Sequence, residues 1–280
     1  MSGGVPLDSM TGVPEAIETD SESETAMNRI TTLAALSGLL VLPSIALADI
    51  DVLPRIENGR IVTYAYDKDD AEVLGRSRVF SAELGEFPFP AGETEEPGFY
   101  TDAVVGNLPA GAGIGYRILG GLRLWDEALG NFDTLAAVTM DLETSGGTEI
   151  RTTPNDLVSI VDGPIFGVVS GSLFFDAHPD YVLSDASAEG IYLLTISVWT
   201  DLAGINDSRP LFLVFGNEAN EAQFDAAIAY AQNVLVPSPG AAALFAAAIL
   251  PKAQVEAKGD AFFDAPQNER TKLFLSQILH

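Results

Sequence analysis

Eight short runs of β-branched and aromatic residues constrain the fold of this chain more than any other feature. Gly, Pro, Asn and Asp occupy the breaks between the runs, as in the turns of an all-β protein. Asn58-Gly59 suits the positive φ angles of a type I′ hairpin turn. Runs at this spacing predict an antiparallel β-sandwich. The predicted strands cover residues 60–66, 77–82, 115–118, 122–125, 135–142, 165–175, 191–199 and 211–215.

One amphipathic helix is predicted after the strands, over residues 218–235. Phe224, Ile228, Ala231 and Leu235 recur there at steps of three and four residues, which places them on one helix face. The run 191–199 alternates only partly, and we interpret it as a strand with one buried face. The predicted fold class is therefore mainly β, a sandwich with one C-terminal helix, in a domain spanning residues 49–235.

The charge balance excludes several classes of protein. The chain has 280 residues, with 40 Asp and Glu against 14 Lys and Arg, for a net charge of −26. Nucleic-acid binding requires a basic surface, so it is not expected. The absence of Cys excludes disulfides, thiol catalysis and Cys-based metal sites, and two His are too few for a three-His zinc site.

The N-terminal part contains an export signal. Residues 1–26 are acidic and lack a hydrophobic pattern, so we expect a disordered extension that precedes a true start at Met27, or else an acidic interaction tail. Arg29, an apolar run over 30–41 and the small-residue pattern Ala46-Leu47-Ala48 before Asp49 are typical of a signal peptide. Residues 27–48 are thus predicted to be removed by signal peptidase between Ala48 and Asp49.

Several segments resemble an exported bacterial family in their order along the chain. They are ENGRIVT at 57–63, RVFSAELGE at 78–86, GGLRLWD at 120–126, HPDY at 178–181, GIYLL at 190–194 and DSRPLFLVF at 207–215. The chain resembles surface PEP-CTERM proteins of planctomycetes and cyanobacteria, some of which are repressed by the zinc-uptake regulator. The resemblance covers residues 49–250 and implies a location at the cell surface or in the extracellular matrix, without an established activity.

A sorting tag follows the predicted helix in this interpretation. Val236-Pro237-Ser238-Pro239-Gly240 precedes an apolar run over 241–250 and resembles a PEP-CTERM sorting segment. That resemblance implies transient membrane anchoring, processing by an archaeosortase-like enzyme and partners in the bacterial envelope. The segment departs from the family pattern in having Ser238 in place of Glu and no Arg cluster. Its apolar run is about 15 Å long as a helix, half of a membrane thickness.

The tail, residues 251–280, resembles a different kind of protein from the rest of the chain. Residues 256–279 resemble the C-terminal end of polar amino-acid ABC-transporter ATPases, and a helix is predicted over 267–279 with Leu273, Phe274 and Ile278 on one face. No G-x-x-x-x-G-K-[ST] loop is present to hold phosphates, so ATP binding is not expected. We interpret the tail as a fusion, with a fragment related to such an ATPase as an alternative.

The sharpest polar cluster is Asp176-Ala177-His178-Pro179-Asp180. Asp176, His178 and Asp180 offer one imidazole and two carboxylates, which suit Zn, Mn or Ni. The alternative is that His178 lies in a loop beside a strand and that the carboxylates are simply exposed. The neighbouring pair Glu95-Glu96 lies in a Pro/Gly-rich loop, and we expect both carboxylates to be solvated.

Other candidate binding residues are less distinctive. Acidic turns at Asp67–Asp70 and around Asp201 and Asp207 offer oxygen ligands for Ca²⁺, although acidic turns are also ordinary on such a surface. Trp125 and Trp199 suit a sugar-stacking platform or the core. No nucleophile elbow or H-E-x-x-H motif is present, so the chain is not expected to be an enzyme.

Together these patterns predict an exported, non-catalytic β-sandwich protein of the cell surface or extracellular matrix. A periplasmic or surface protein that binds zinc or calcium as an accessory is the alternative.

Overall fold

The computed structural model of the chain describes residues 50–144 and 147–236. Residues 1–49 and 237–280 lie outside it. The acidic extension, the signal peptide with its cleavage site, the ATPase-like tail and all of the sorting segment except Val236 therefore remain sequence-based predictions. Of the residues that are described, no helix is both long and apolar enough to cross a membrane.

Strands dominate the described part of the chain, as predicted. In chain order they are β1 (Ile50–Glu57), β2 (Arg60–Asp67), β3 (Glu72–Arg76), β4 (Val79–Leu84), β5 (Glu93–Thr94), β6 (Phe99–Thr101), β7 (Gly113–Leu119), β8 (Arg123–Asp126), β9 (Asn131–Leu135), β10 (Met140–Glu143), β11 (Ile150–Thr152), β12 (Ile160–Val168), β13 (Phe175–Ala177), β14 (Asp180–Leu183), β15 (Gly190–Thr200) and β16 (Leu211–Asn217). A helix, α1 (Glu221–Tyr230), continues into a π-helical turn at Ala231–Leu235.

The strands form three sheets that are not closed into a barrel. One has the strand order β13-β6-β1-β2-β3, and a four-stranded sheet has the order β11-β10-β14-β5. The largest has the order β12-β7-β15-β16-β4, with the β8-β9 hairpin joined to β15. The strand pairing is antiparallel except between β1 and β6 and between β4 and β16. The prediction of a mainly β sandwich with one C-terminal helix is confirmed, with these two parallel pairs as an added feature.

Side chains of all three sheets share one core. Val52 and Phe99 come from the five-stranded sheet, Tyr181 from the four-stranded sheet, and Leu194 and Phe215 from the largest sheet. All five are buried. Burial of this apolar surface holds the sheets together in a chain that has no Cys to form a disulfide.

The helix covers the other face of the largest sheet. Ala227 and Ile228 pack with Leu193, Val214 and neighbouring aromatic side chains in a second apolar cluster. Because Leu193 and Leu194 point to opposite faces and both are buried, β15 has two buried faces along this stretch. The interpretation of residues 191–199 as a strand with one buried face is therefore corrected, and the helix explains the incomplete alternation.

Local sequence signals set several boundaries. Asn58 and Gly59 have φ angles of 49° and 74°, and Glu57 pairs with Arg60, so the hairpin prediction is confirmed. The helix begins at Glu221, later than predicted, because the chain turns at Glu218 with a φ of 50°. Asn220 then accepts hydrogen bonds from the backbone N–H groups of Ala222 and Gln223.

The predicted strand over 165–175 is two strands in the structure. β12 ends at Val168 and β13 begins at Phe175. Between them Leu173 has a φ of 62°, and its N–H donates to the carbonyl oxygen of Ser170. The small polar residues 170–172 favour this turn over a continued strand.

Candidate metal centre

Strand register brings three distant parts of the chain together at one edge of the five-stranded sheet. Val52 on β1 lies beside Phe99 on β6 in a parallel pair, and Phe99 lies beside Ala177 on β13 in an antiparallel pair. The register therefore places Asp51, Gly98 and His178 side by side, with glycine in the middle. His178 itself lies in the short connection between β13 and β14.

Gly98 leaves the space in which the side chains of its neighbours meet. A Cβ atom added there would lie 2.5 Å from Asp51 Oδ1 and 2.6 Å from His178 Nδ1, distances that real Cβ atoms do not show. Any other residue would fill the space between the carboxylate and the imidazole.

Asp51 is the most unusual group of this centre. The residue is 1% exposed, and neither carboxylate oxygen has a hydrogen-bond partner in the described part of the chain. His178 Nδ1 is also buried and lacks a well-directed hydrogen bond. A buried carboxylate without a partner costs free energy, so its retention points to a ligand that supplies the missing contact.

Glu96 is the third group. Its Oε2 accepts a hydrogen bond from the backbone N–H of Gly98 at 2.9 Å, and its Oε1 lies 3.3 Å from His178 Nδ1. One potential ligand atom from each of Asp51, Glu96 and His178 lies within 4.8 Å of the other two. The side chains of Glu96 and His178 are 24% and 20% exposed, so solvent reaches the centre.

Asp176 contacts the opposite side of the imidazole. His178 Nε2–H donates to Asp176 Oδ1 at 3.1 Å, and Asp176 Oδ2 accepts from Lys68 Nζ at 3.0 Å. This bond fixes the ring so that Nδ1 faces Asp51 and Glu96.

The electrostatics of the centre follow from this arrangement. Burial, together with the negative charge of Glu96, raises the pKa of Asp51 from 3.8 to about 7. The contact with Glu96 and the charges of the surrounding carboxylates outweigh burial at His178 and raise its pKa from 6.5 to about 9. Without a metal, the imidazole is thus protonated at neutral pH, and its positive charge balances part of the carboxylate charge.

The sequence-predicted metal set is only partly brought together. Asp176 and His178 are in contact, whereas Asp180 begins β14 opposite Glu143 and forms no hydrogen bond or ion pair with His178 in the described ranges. The expectation that Glu96 is simply solvated is wrong, because the carboxylate contacts both Gly98 and His178. The sequence contains one feature that could have identified Asp51 as a site residue: it is a single acidic residue within the apolar run at the start of β1.

The other candidate residues have protein partners. Asp67 Oδ1 accepts from the backbone N–H groups of Asp69 and Asp70, while Asp201 Oδ1 accepts from Gly113 N–H at 2.8 Å. Asp207 forms an ion pair with Arg117.

The two tryptophans contribute to packing. Trp125 is buried in the cluster under the helix. Trp199 lies against Gly115, and its Nε1–H donates to the carbonyl oxygen of Tyr116 at 2.9 Å. Their placement favours the core alternative over a sugar platform.

A scan against protein-family models, a search of curated proteins and a search of solved structures each find no match to this chain. The functional inference therefore rests on the residues and the geometry described above.

Proposed function

We propose that this chain is an exported, non-catalytic surface protein whose β-sandwich binds a divalent transition metal through Asp51, Glu96 and His178 Nδ1. The observation that carries the proposal is the buried carboxylate of Asp51, which lacks a partner and lies beside an imidazole nitrogen that also lacks a well-directed hydrogen bond.

The donor set favours a metal of the zinc type. One imidazole nitrogen and two carboxylate oxygens suit Zn²⁺ or Mn²⁺, whereas Ca²⁺ takes six to eight oxygen ligands. Bonds of about 2.0–2.2 Å to a tetrahedral metal place its ligand atoms about 3.4 Å apart. Glu96 Oε1 and His178 Nδ1 already have nearly this separation, at 3.3 Å. A carboxylate oxygen of Asp51 lies within 4.8 Å of both atoms.

Asp176 acts as a positioning residue in this proposal. Metal-bound histidines commonly donate their other ring N–H to a carboxylate, which fixes the ring orientation. Asp176 makes this contact with His178 Nε2, and its second oxygen is already bound by Lys68. Three protein ligands leave a coordination position for water or another small ligand.

The location is proposed from the sequence. The signal-peptide pattern over 27–48 and the PEP-CTERM-like segment over 236–250 support export and a surface location. Outside the cell, an acidic surface keeps the domain soluble and attracts cations.

The experiment measures Zn²⁺ binding to the full chain by isothermal titration calorimetry, in about 0.15 M NaCl with excess Mg²⁺ to saturate weak acidic sites. We expect one tight Zn²⁺ per chain. Asp51→Asn, Glu96→Gln and His178→Ala should each weaken binding by more than about tenfold, and Asp176→Ala should cause a smaller loss.

Two matched controls come from the sequence itself. Glu95→Gln removes the carboxylate next to Glu96, and Asp180→Asn removes the carboxylate of the sequence-predicted set. Both variants should bind Zn²⁺ as the wild type does. Equal binding by Asp51→Asn and wild type, or a loss in Asp180→Asn that matches the loss in His178→Ala, would contradict the proposed ligand set.

A further inference from the structure

A cavity lies on the helix side of the largest sheet, away from the metal centre. Its volume is about 290 Å³. Leu119, Leu193, Phe212 and Leu235 supply apolar walls. Ligand sites in proteins typically occupy about 300–1,000 Å³ and combine apolar walls with a few polar groups. The cavity lies just below that range, so only a small molecule would fit.

Three polar side chains that line this cavity have few hydrogen bonds of their own among the described residues. Thr195 and Tyr230 line it, and their hydroxyl groups form no hydrogen bond within residues 50–144 and 147–236. Arg123 also lines it and has one long hydrogen bond, from Nη1 to the carbonyl oxygen of Phe132 at 3.3 Å. The remaining donors of its guanidinium group are free for a ligand among the described residues.

The surroundings of the cavity are more basic than the composition predicts. Arg78 stacks over the ring of Phe212, with its Cζ atom 5.5 Å from the ring centre. Burial, together with the charge of Arg209, lowers the pKa of Arg78 to about 10. Arg78, Arg123 and Arg209 form no ion pair in the described part of the chain, although the chain has 40 acidic residues against 14 basic ones. Arg78 and Arg209 do not line the cavity itself, so Arg123 is the lining group that can pair with an anion.

We propose that this cavity binds a small organic monocarboxylate with a flat apolar body. The carboxylate contacts Arg123, which offers the paired donors that suit a carboxylate. The apolar body lies against Leu119, Leu193 and Phe212. Asp133 also lines the cavity, and its charge repels a dianion such as phosphate more strongly than a monoanion. This binding site is independent of the proposed metal centre.

The test titrates the full chain with phenylacetate, and binding is followed by calorimetry and by saturation-transfer NMR. We expect saturable binding with a Kd of about 1 mM or tighter. Arg123→Gln should weaken it by at least about tenfold, and Arg123→Lys should weaken it less. Phenylacetamide, which has the same shape without the charge, should bind at least about tenfold more weakly than phenylacetate, a comparison that requires no variant.

Two controls distinguish binding in this cavity from binding elsewhere on the protein. Arg76→Gln removes an exposed arginine of β3 that pairs with Glu57, and it should leave phenylacetate binding unchanged. Addition of EDTA to the wild type should also leave it unchanged, which separates this proposal from the metal centre. Absence of saturable binding, equal binding of phenylacetamide, unaltered binding in folded Arg123→Gln or stronger binding of inorganic phosphate would each overturn the proposal.

Discussion

At the scale of single residues, the candidate metal centre depends on Asp51 and Gly98, and neither belongs to a recognisable sequence motif. Gly98 supplies space and Asp51 supplies a charge that the fold itself leaves without a partner. A buried charge without a partner lowers the free energy of unfolding. Proteins commonly tolerate this loss of stability where a ligand compensates for it. The metal proposal therefore carries a prediction about stability in the absence of metal.

We predict that the metal-free protein loses stability as the pH rises from about 4 to about 9. The folded pKa of Asp51, about 7, lies above its ordinary value of 3.8, so between these pH values the folded state keeps a proton that the unfolded state has released. His178 stabilises the fold below its ordinary pKa of 6.5, and this contribution is lost as the pH rises through about 9. Both groups act in the same direction.

Asp51→Asn should abolish the part of this pH-dependent loss of stability that the ionisation of Asp51 causes. With a chelator present, urea unfolding at pH 8 should show the variant to be more stable than the wild type by up to roughly 4 kcal/mol, with little difference at pH 4. Asp180→Asn is the control and should differ little from the wild type at either pH. A variant that is less stable than the wild type at pH 8 would show that the charge of Asp51 is compensated in the fold.

At the scale of elements, the helix and some of the long strands follow from local sequence, whereas β1, most of β12 and the centre do not. The hairpin at Asn58-Gly59 and the strands β2, β15 and β16 have strong β-branched or turn signals. β5 and β6 are too short for a periodic pattern, and partner strands determine them. Asp51 and Glu96 meet His178 only through the register of β1, β6 and β13, and local sequence carries no information about such long-range pairing.

The helix gives a prediction at this scale. Asn220→Ala removes the side-chain acceptor for the N–H groups of Ala222 and Gln223, so we expect a loss of about 1 kcal/mol in the free energy of unfolding, measured in urea. Asn233→Ala is the matched control, because Asn233 is exposed and its side chain bonds, within the described ranges, only to the carbonyl oxygen of Ala229. Equal effects of the two substitutions would mean that the cap contributes nothing specific.

At the scale of the whole molecule, charge repulsion opposes the compact state. A net charge of −26 on 280 residues acts against folding, and the ion pairs of the described residues that involve Arg76, Arg151 and Lys68 lie at the surface, where such pairs contribute little. Apolar burial between the sheets and under the helix must therefore outweigh this repulsion.

Salt should strengthen the fold for this reason. Raising NaCl from about 0.02 M to about 0.5 M screens the repulsion, and we expect the Tm to rise by roughly 3 °C. An equivalent increase in osmolality with glycerol serves as the control for general solvent effects. A fall in Tm with salt would show that attractive ion pairs outweigh the repulsion.

The register that places Gly98 between Asp51 and His178 also determines when the proposed metal can bind. The three donors come from separate regions of the chain, and they meet only after β1, β6 and β13 have paired in the correct register. An unfolded chain therefore lacks the assembled centre, and under the metal proposal Zn²⁺ would stabilise the finished fold by mass action. Under the proposal of export, the metal is acquired outside the cell, after the fold is complete.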